Sequence, residues 1–254
     1  MDAIKSLLVV WKNKENELYY HIGTLNYDGK SYNFEYTYRS KSTRNVIEAQ
    51  REGYRLHPAF PELKKTYQSE TLFPAFNRRI PDTSRLGYYE ILKEFSLPTT
   101  ADRMDVLRET RGKIAGDPYS FEEPLRLNGD KLSTNFYISG MRHRNHLPEN
   151  WEDYFSVGDL LFAEIEQDNE YDSYAVKIIT DNGTHIGYIP GIYAQAVHSL
   201  LNQAVPIELQ IRQLRPNFAP QWWMRVELTA TIELESGNHS YVNNLDGLIF
   251  LETA

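Results

Sequence analysis

Apolar and polar residues alternate along much of this chain with a period of two, the spacing of strands that bury one face. LLVVWKN at 7–13 opens the pattern. ELYYHIGTLNYDGKSYNFEYTY, from Glu17 to Tyr38, continues it, and its Tyr27-Asp28-Gly29 turn predicts a hairpin. A polar stretch follows. In TLFPAFNRRIPDTSRLGYYEILKEFSL the prolines break structure, and Tyr88, Ile91, Leu92 and Phe95 recur at helical spacing. LPTTADRMDVLRET predicts a second short helix, with Thr100 as N-cap and Met104 and Leu107 as its apolar positions. IAGDPYSFEEP at 114–124 reads as loop and LNGDKLSTN as a polar stretch, so a domain boundary is expected near residues 120–132.

From Thr134 the chain reads as strand after strand: NFYISGMRH, DLLFAEIEQ, YAVKIIT and THIGYIP, then a helix-like AQAVHSLLNQ, then VPIELQIRQL, WWMRVELTATIEL and LIFLE. Many short strands with one helix predict a small barrel or rolled sheet. The fold class expected is α+β, mainly β. A small antiparallel sheet module with short helices occupies 1–125, and a rolled β-barrel with one helix occupies 132–254.

Composition narrows the function classes. A 41% hydrophobic and 24% charged chain of 254 residues with 18 Tyr is globular rather than disordered. Cysteine is absent, which removes disulfides and thiolate nucleophiles and fits a reducing cytoplasm. No apolar run is long enough for a membrane span, so a soluble cytoplasmic protein is expected. Charge is uneven: residues 1–130 carry 20 Lys and Arg against 19 Asp and Glu, and residues 131–254 carry 7 against 16. So acidic a second half is a poor general magnet for phosphate backbones.

The motifs of phosphate-loop hydrolases, dinucleotide-binding folds, serine hydrolases and helical zinc proteases are all absent, so an enzyme is not expected. His143 and His146 in MRHRNH have a spacing that two metal ligands could use, but exposed turn histidines are the ordinary source of it. In EQDNEYDSYAVKI, Asp168, Asn169, Glu170 and Asp172 supply oxygen ligands without the glycine and terminal glutamate of a twelve-residue calcium loop. Neither a metal nor any other cofactor is expected.

FYISGMRHR, VGDLLFAEIEQDNEYDSYAVKII and GTHIGYIPGIYAQAVHSLL resemble the HIRAN domain family in order, spacing and turn chemistry over about residues 134–235. The likeness rests on a first strand ending in Gly-x-Arg, a V-G-D-x-L strand entry, the N-x-Y-D-x-x-A-V turn and G-Y-I-P before a helix. It implies an OB-like rolled barrel that captures the 3′ end of single-stranded DNA without catalysis. Carried over by position, the strand-end arginine is Arg142, the turn residues are Asn169, Tyr171 and Asp172, and the ring of G-Y-I-P is Tyr188. His143 and Arg144 stand where DNA-binding members carry two aromatics, and Gly191 where many carry a basic residue. In this reading Asp172 accepts a terminal hydroxyl and would repel the phosphate of an unbroken strand. Tyr171 and Tyr188 stack on bases and Arg142 neutralises a phosphate. Tyr171 as a core ring and Asp172 as a cap of its own turn are the structural alternatives.

VVWKN, IGTLNYDGKSYNFEYTY and LFPAFNRRIPD look like the N-terminal subdomain of HipA-like kinases over about residues 5–97, with no kinase core after it. That resemblance implies a bacterial toxin–antitoxin or defence component that regulates a separately encoded HipA-like kinase. Arg78 and Arg79, with Arg85 nearby, form a local positive cluster and are the candidate partner-docking residues.

Overall fold

The computed structural model describes residues 5–144, 147–232 and 249–251. It divides into two compact units, Met1–Pro124 and Leu125–Ala254. In the first, β1 (Lys5–Lys12), β2 (Tyr19–Tyr27) and β3 (Tyr32–Tyr36) form an antiparallel meander. The β2–β3 hairpin closes where its turn residues predict, because the Asp28 carboxylate accepts the N–H groups of Lys30 and Ser31 at 2.9 and 2.7 Å. Next come α1 (Val46–Arg51), β4 (Tyr67–Ser69) beside β3, α2 (Pro74–Asn77), α3 (Tyr88–Glu94), α4 (Arg103–Thr110) and β5 (Tyr119–Glu122) beside β1. Inward-facing rings from strands, loops and α2 meet in one core. Phe34, Phe60, Phe76 and Phe121 are all buried, with successive ring centroids 4.5, 5.1 and 5.0 Å apart.

Three expectations change here. The N-cap of α4 is Asp102, not Thr100: its carboxylate accepts the Asp105 N–H at 3.0 Å, and the Asp105 carboxylate accepts the Asp102 N–H at 3.2 Å. The supposed loop at 114–124 contains β5, whose register against β1 places Phe121 opposite Val9, both buried. The polar stretch after Tyr38 contains α1, capped by the Asn45 side chain, and β4, since only Val46 and Ala49 of α1 are buried and no apolar stripe marks it.

The second unit contains β6 (Leu125–Asn128), β7 (Lys131–Tyr137), β8 (Leu160–Ile165), β9 (Val176–Ile179), β10 (His185–Tyr188), α5 (Gly191–Asn202), β11 (Ile207–Leu214), β12 (Met224–Thr231) and β13 (Ile249–Leu251). The polar LNGDKLSTN is therefore mostly a hairpin, β6 to β7, turning through Asn128-Gly129-Asp130. Strand order is β10-β9-β8-β11-β12-β7-β6-β13, with β13 parallel to β6 and every other pair antiparallel. The sheet then rolls shut. Just past β7, Ser139 pairs with Tyr188 of β10 through two backbone bonds of 3.0 and 2.8 Å. Six strands thus form an OB-like circuit that this bridge closes at the Tyr188 end of β10. Closure needs two backbones to touch: a Cβ at Gly187 would lie 2.4 Å from Ile138 Cγ2 and 2.7 Å from the Ser139 carbonyl. Pro190, with no N–H for a further ladder bond, ends this strand and hands over to α5. The helix is largely buried, and its Tyr193 ring lies 5.5 Å from Phe136 of β7. Among the described residues no helix is long and apolar enough to cross a membrane.

Candidate functional site

The chain leaves β7 at Tyr137, pairs once more at Ser139 and turns at Gly140, whose φ of 75° is costly for a residue with a side chain. A single 3₁₀ turn follows, Met141–His143. Met141 packs beneath it, with Cγ 3.3 Å from where a Gly187 side chain would begin, so the turn lies against β10. Arg142 and His143 are exposed, and Arg142 Nε donates to His143 Nε2 at 2.9 Å. Arg144 turns back over β10: its guanidinium carbon lies 5.1 Å from the Tyr188 ring centroid, and Nη1 is 3.4 Å from both the Tyr188 hydroxyl and His185 Nδ1. His146 lies outside the described residues, and among those described no group of His, Asp and Glu could hold a metal ion.

The second wall is the β8–β9 turn. Asn169 organises it: its carbonyl oxygen accepts the N–H groups of Tyr171 and Asp172 at 3.0 and 2.9 Å, and its amide donates to Glu166 Oε2 at 2.6 Å. Asp172 continues the turn, Oδ1 accepting the Tyr174 N–H at 2.9 Å. A capping role for Asp172 is thus present. Tyr171 is 74% exposed, which excludes the core-ring alternative and leaves its face open to a ligand.

The walls meet at Glu166, where Oε2 also accepts the Tyr188 hydroxyl at 3.0 Å. Glu166, which the sequence does not single out, is half-buried and ties the turn to the barrel closure. Burial works to raise its pKa, but the Asn169 and Tyr188 hydrogen bonds and the positive charge of Lys177 outweigh that and hold it below the usual glutamate range. Burial, then the bond to Glu166, pushes the Tyr188 hydroxyl up, so it stays a proton donor. His185, also missed, stands perpendicular to Tyr188 with centroids 4.7 Å apart. Its Nε2 lies 2.9 Å from the Gly187 carbonyl, which only an N–H can use, leaving Nδ1 to accept from Arg144. Burial and then Arg144 lower its pKa, in keeping with this neutral tautomer.

The structure therefore gathers Arg144, Tyr188, Asn169 and Asp172 with the unpredicted Glu166 and His185, and sets Arg142, His143 and Tyr171 exposed on the two adjoining turns. The remaining candidates lie in the first unit. Arg78 and Arg85 are exposed. Arg79 is not free to dock a partner: its side chain is 5% exposed, Nε donates to the Gly112 carbonyl at 2.9 Å, and Nη2 pairs with Asp117 at 2.6 Å. Elsewhere in the second unit, a groove of about 820 Å³ runs over the outer face of β8, β11 and β12 beside Leu160, Phe162 and Thr229. It shares no lining residue with the Tyr188 cluster.

Comparison with known proteins singles out the same unit. The family model of the HIRAN domain matches residues 131–235. A crystal structure of a protein from Lactobacillus plantarum is 17% identical, with a TM-score of 0.35, covering 41% of this chain and 99% of that one. The crystal structure of the HIRAN domain of human HLTF is 19% identical, with a TM-score of 0.33, covering 42% of this chain and 84% of that one. The same human domain has an NMR structure in its DNA-bound conformation, also 19% identical, with a TM-score of 0.29, covering 44% of this chain and 84% of that one. No curated protein matches the chain.

Proposed function

We propose that this chain, whose residues 131–235 are a HIRAN domain, binds nucleic acid and captures the 3′ end of single-stranded DNA without catalysing a reaction. The observation that carries this reading is the cluster itself. A ring, Tyr188, has its hydroxyl held by Glu166 beside a cation, Arg144, and faces a turn that offers an exposed ring, Tyr171, and a carboxylate, Asp172. Stacking platforms contribute about 1–3 kcal/mol per base and accept any sequence. Arg142 and Arg144 supply charge for the last phosphates, and Asp172 accepts the terminal hydroxyl while repelling a continuing phosphate.

Labelled strands ending in a 3′-hydroxyl or a 3′-phosphate test it. The hydroxyl end should bind about tenfold more tightly, the worth of one charge-assisted hydrogen bond of about 1.5 kcal/mol. Asp172→Asn keeps an oxygen for the Tyr174 N–H and removes the charge, so it should erase the preference without unfolding the turn. Equal binding of both ends by the unaltered protein would sink end capture.

A second reading, in which the first unit regulates a separately encoded HipA-like kinase in the bacterial cytoplasm, draws on a different patch. Leu86 is 98% and Tyr89 64% exposed, and Arg85 is exposed beside them, a mixture of apolar surface and positive charge suited to protein docking. Leu86→Glu with Arg85→Glu should abolish co-purification with a neighbouring kinase gene product. Undiminished co-purification would remove this reading.

A further inference from the structure

Arg144 occupies a position that its own chemistry leaves unsatisfied. A guanidinium is a planar fork of donors matched to carboxylate or phosphate oxygens. Here Nη1 makes two long contacts of 3.4 Å to uncharged atoms, the Tyr188 hydroxyl and His185 Nδ1. Nε is buried with no hydrogen-bond partner. Among the described residues no carboxylate lies within ion-pair distance of this guanidinium, and Glu166 Oε2 is taken by Tyr188 and Asn169. What Arg144 does have is the Tyr188 ring, with its charge 5.1 Å from the centroid.

A ring face covered by a guanidinium cannot at the same time receive a base. Tyr188 is fixed by the Ser139 pairing, by its bond to Glu166 and by the perpendicular His185 ring. The movable partner is Arg144, which follows the exposed Arg142 and His143 and has the longer side chain. We propose that Arg144 sets the specificity of this pocket. It covers the stacking face of Tyr188 and yields it only to a ligand whose phosphate offers the guanidinium the paired acceptors it lacks, so the pocket takes a terminal nucleotide with a charged phosphodiester beside the stacked base. Nucleosides, free bases and strands neutral at that linkage are refused.

This rests on the nucleic-acid reading of the second unit, and the experiment separates the two. Short single strands with a natural last linkage are compared with strands carrying an uncharged methylphosphonate there, on the full chain and on Arg144→Ala and Arg144→Lys. The unaltered protein should lose about tenfold or more on the neutral linkage, as a charge-assisted pair is lost and the ring stays covered. Arg144→Ala should bind both strands within about twofold of each other, and the neutral strand more tightly than the unaltered protein does. Arg144→Lys, which keeps charge without the fork, should fall between them. If Arg144→Ala weakens both strands by the same factor, or the unaltered protein ignores the neutral linkage, this proposal is overturned while nucleic-acid binding stands. If none of the three proteins binds either strand, the nucleic-acid reading fails and takes the proposal with it.

Discussion

Glu166 holds the Tyr188 hydroxyl and the Asn169 amide on one carboxylate oxygen, so a single charge fixes both the ring and the turn. Its folded-state pKa is depressed, the net result of burial, which raises it, being outweighed by those two bonds and by Lys177. The stabilisation it contributes is therefore full above the unfolded glutamate pKa of about 4.3 and is lost as pH falls through the lower folded value. Glu166→Gln should cost about 0.5–1 kcal/mol at neutral pH, since the site is partly solvated. It should also flatten the acid limb of stability below about pH 4.5, both read from urea unfolding across pH. A variant whose acid limb matches that of the unaltered protein would show that Glu166 is not the group being protonated. Nothing in one dimension distinguishes Glu166 from Asp168 or Glu170. All three are acidic residues in one turn, and only the fold decides which faces Tyr188.

At the scale of elements, α4 shows how local and distant chemistry divide the work. Asp102 and Asp105 cap the helix reciprocally, and the Lys5 ammonium of β1 bonds both carboxylates at 2.8–2.9 Å. Asp102→Ala should cost about 1–2 kcal/mol and lower the melting temperature by several degrees, whereas Thr100→Ala should leave it nearly unchanged. The reverse order would restore Thr100 as the cap. The spacing of Met104 and Leu107 identifies this helix from sequence, while its first residue depends on which of several capping residues finds the N–H groups. β5 was missed for a different reason. Four residues after an Asp-Pro pair carry too little alternation to be told from loop, and the strand exists because β1 offers it an edge. The β6–β7 hairpin, turning at Gly129-Asp130, reads as a polar stretch because two short strands present polar outward faces.

At the scale of the whole molecule, charge and site pull in opposite directions. Residues beyond 130 carry 16 acidic against 7 basic side chains, so phosphate contacts should be confined to Arg142 and Arg144. With about 0.7 counterions released per phosphate of a single strand, log K should fall against log salt with a slope near −1.4. A slope steeper than about −3 in a salt titration would show that the strand also meets basic side chains beyond these two. The sequence by itself determined the mainly β class and most of the strands. It also fixed the turn chemistry of Asn169 and Asp172 and the HIRAN match of the second unit, because periodicity, turn residues and short motifs act over a few positions. Only the tertiary structure decided that β10 closes on the end of β7, which requires Ile138 and Ser139 to meet Gly187 across some fifty residues of chain. That closure brings Arg144, Glu166 and the β10 pair His185 and Tyr188 together from three separate segments. Within the first unit, folding likewise withdrew Arg79 from the surface into a pair with Asp117, because burial and pairing are properties of distances in space that one-dimensional spacing does not contain.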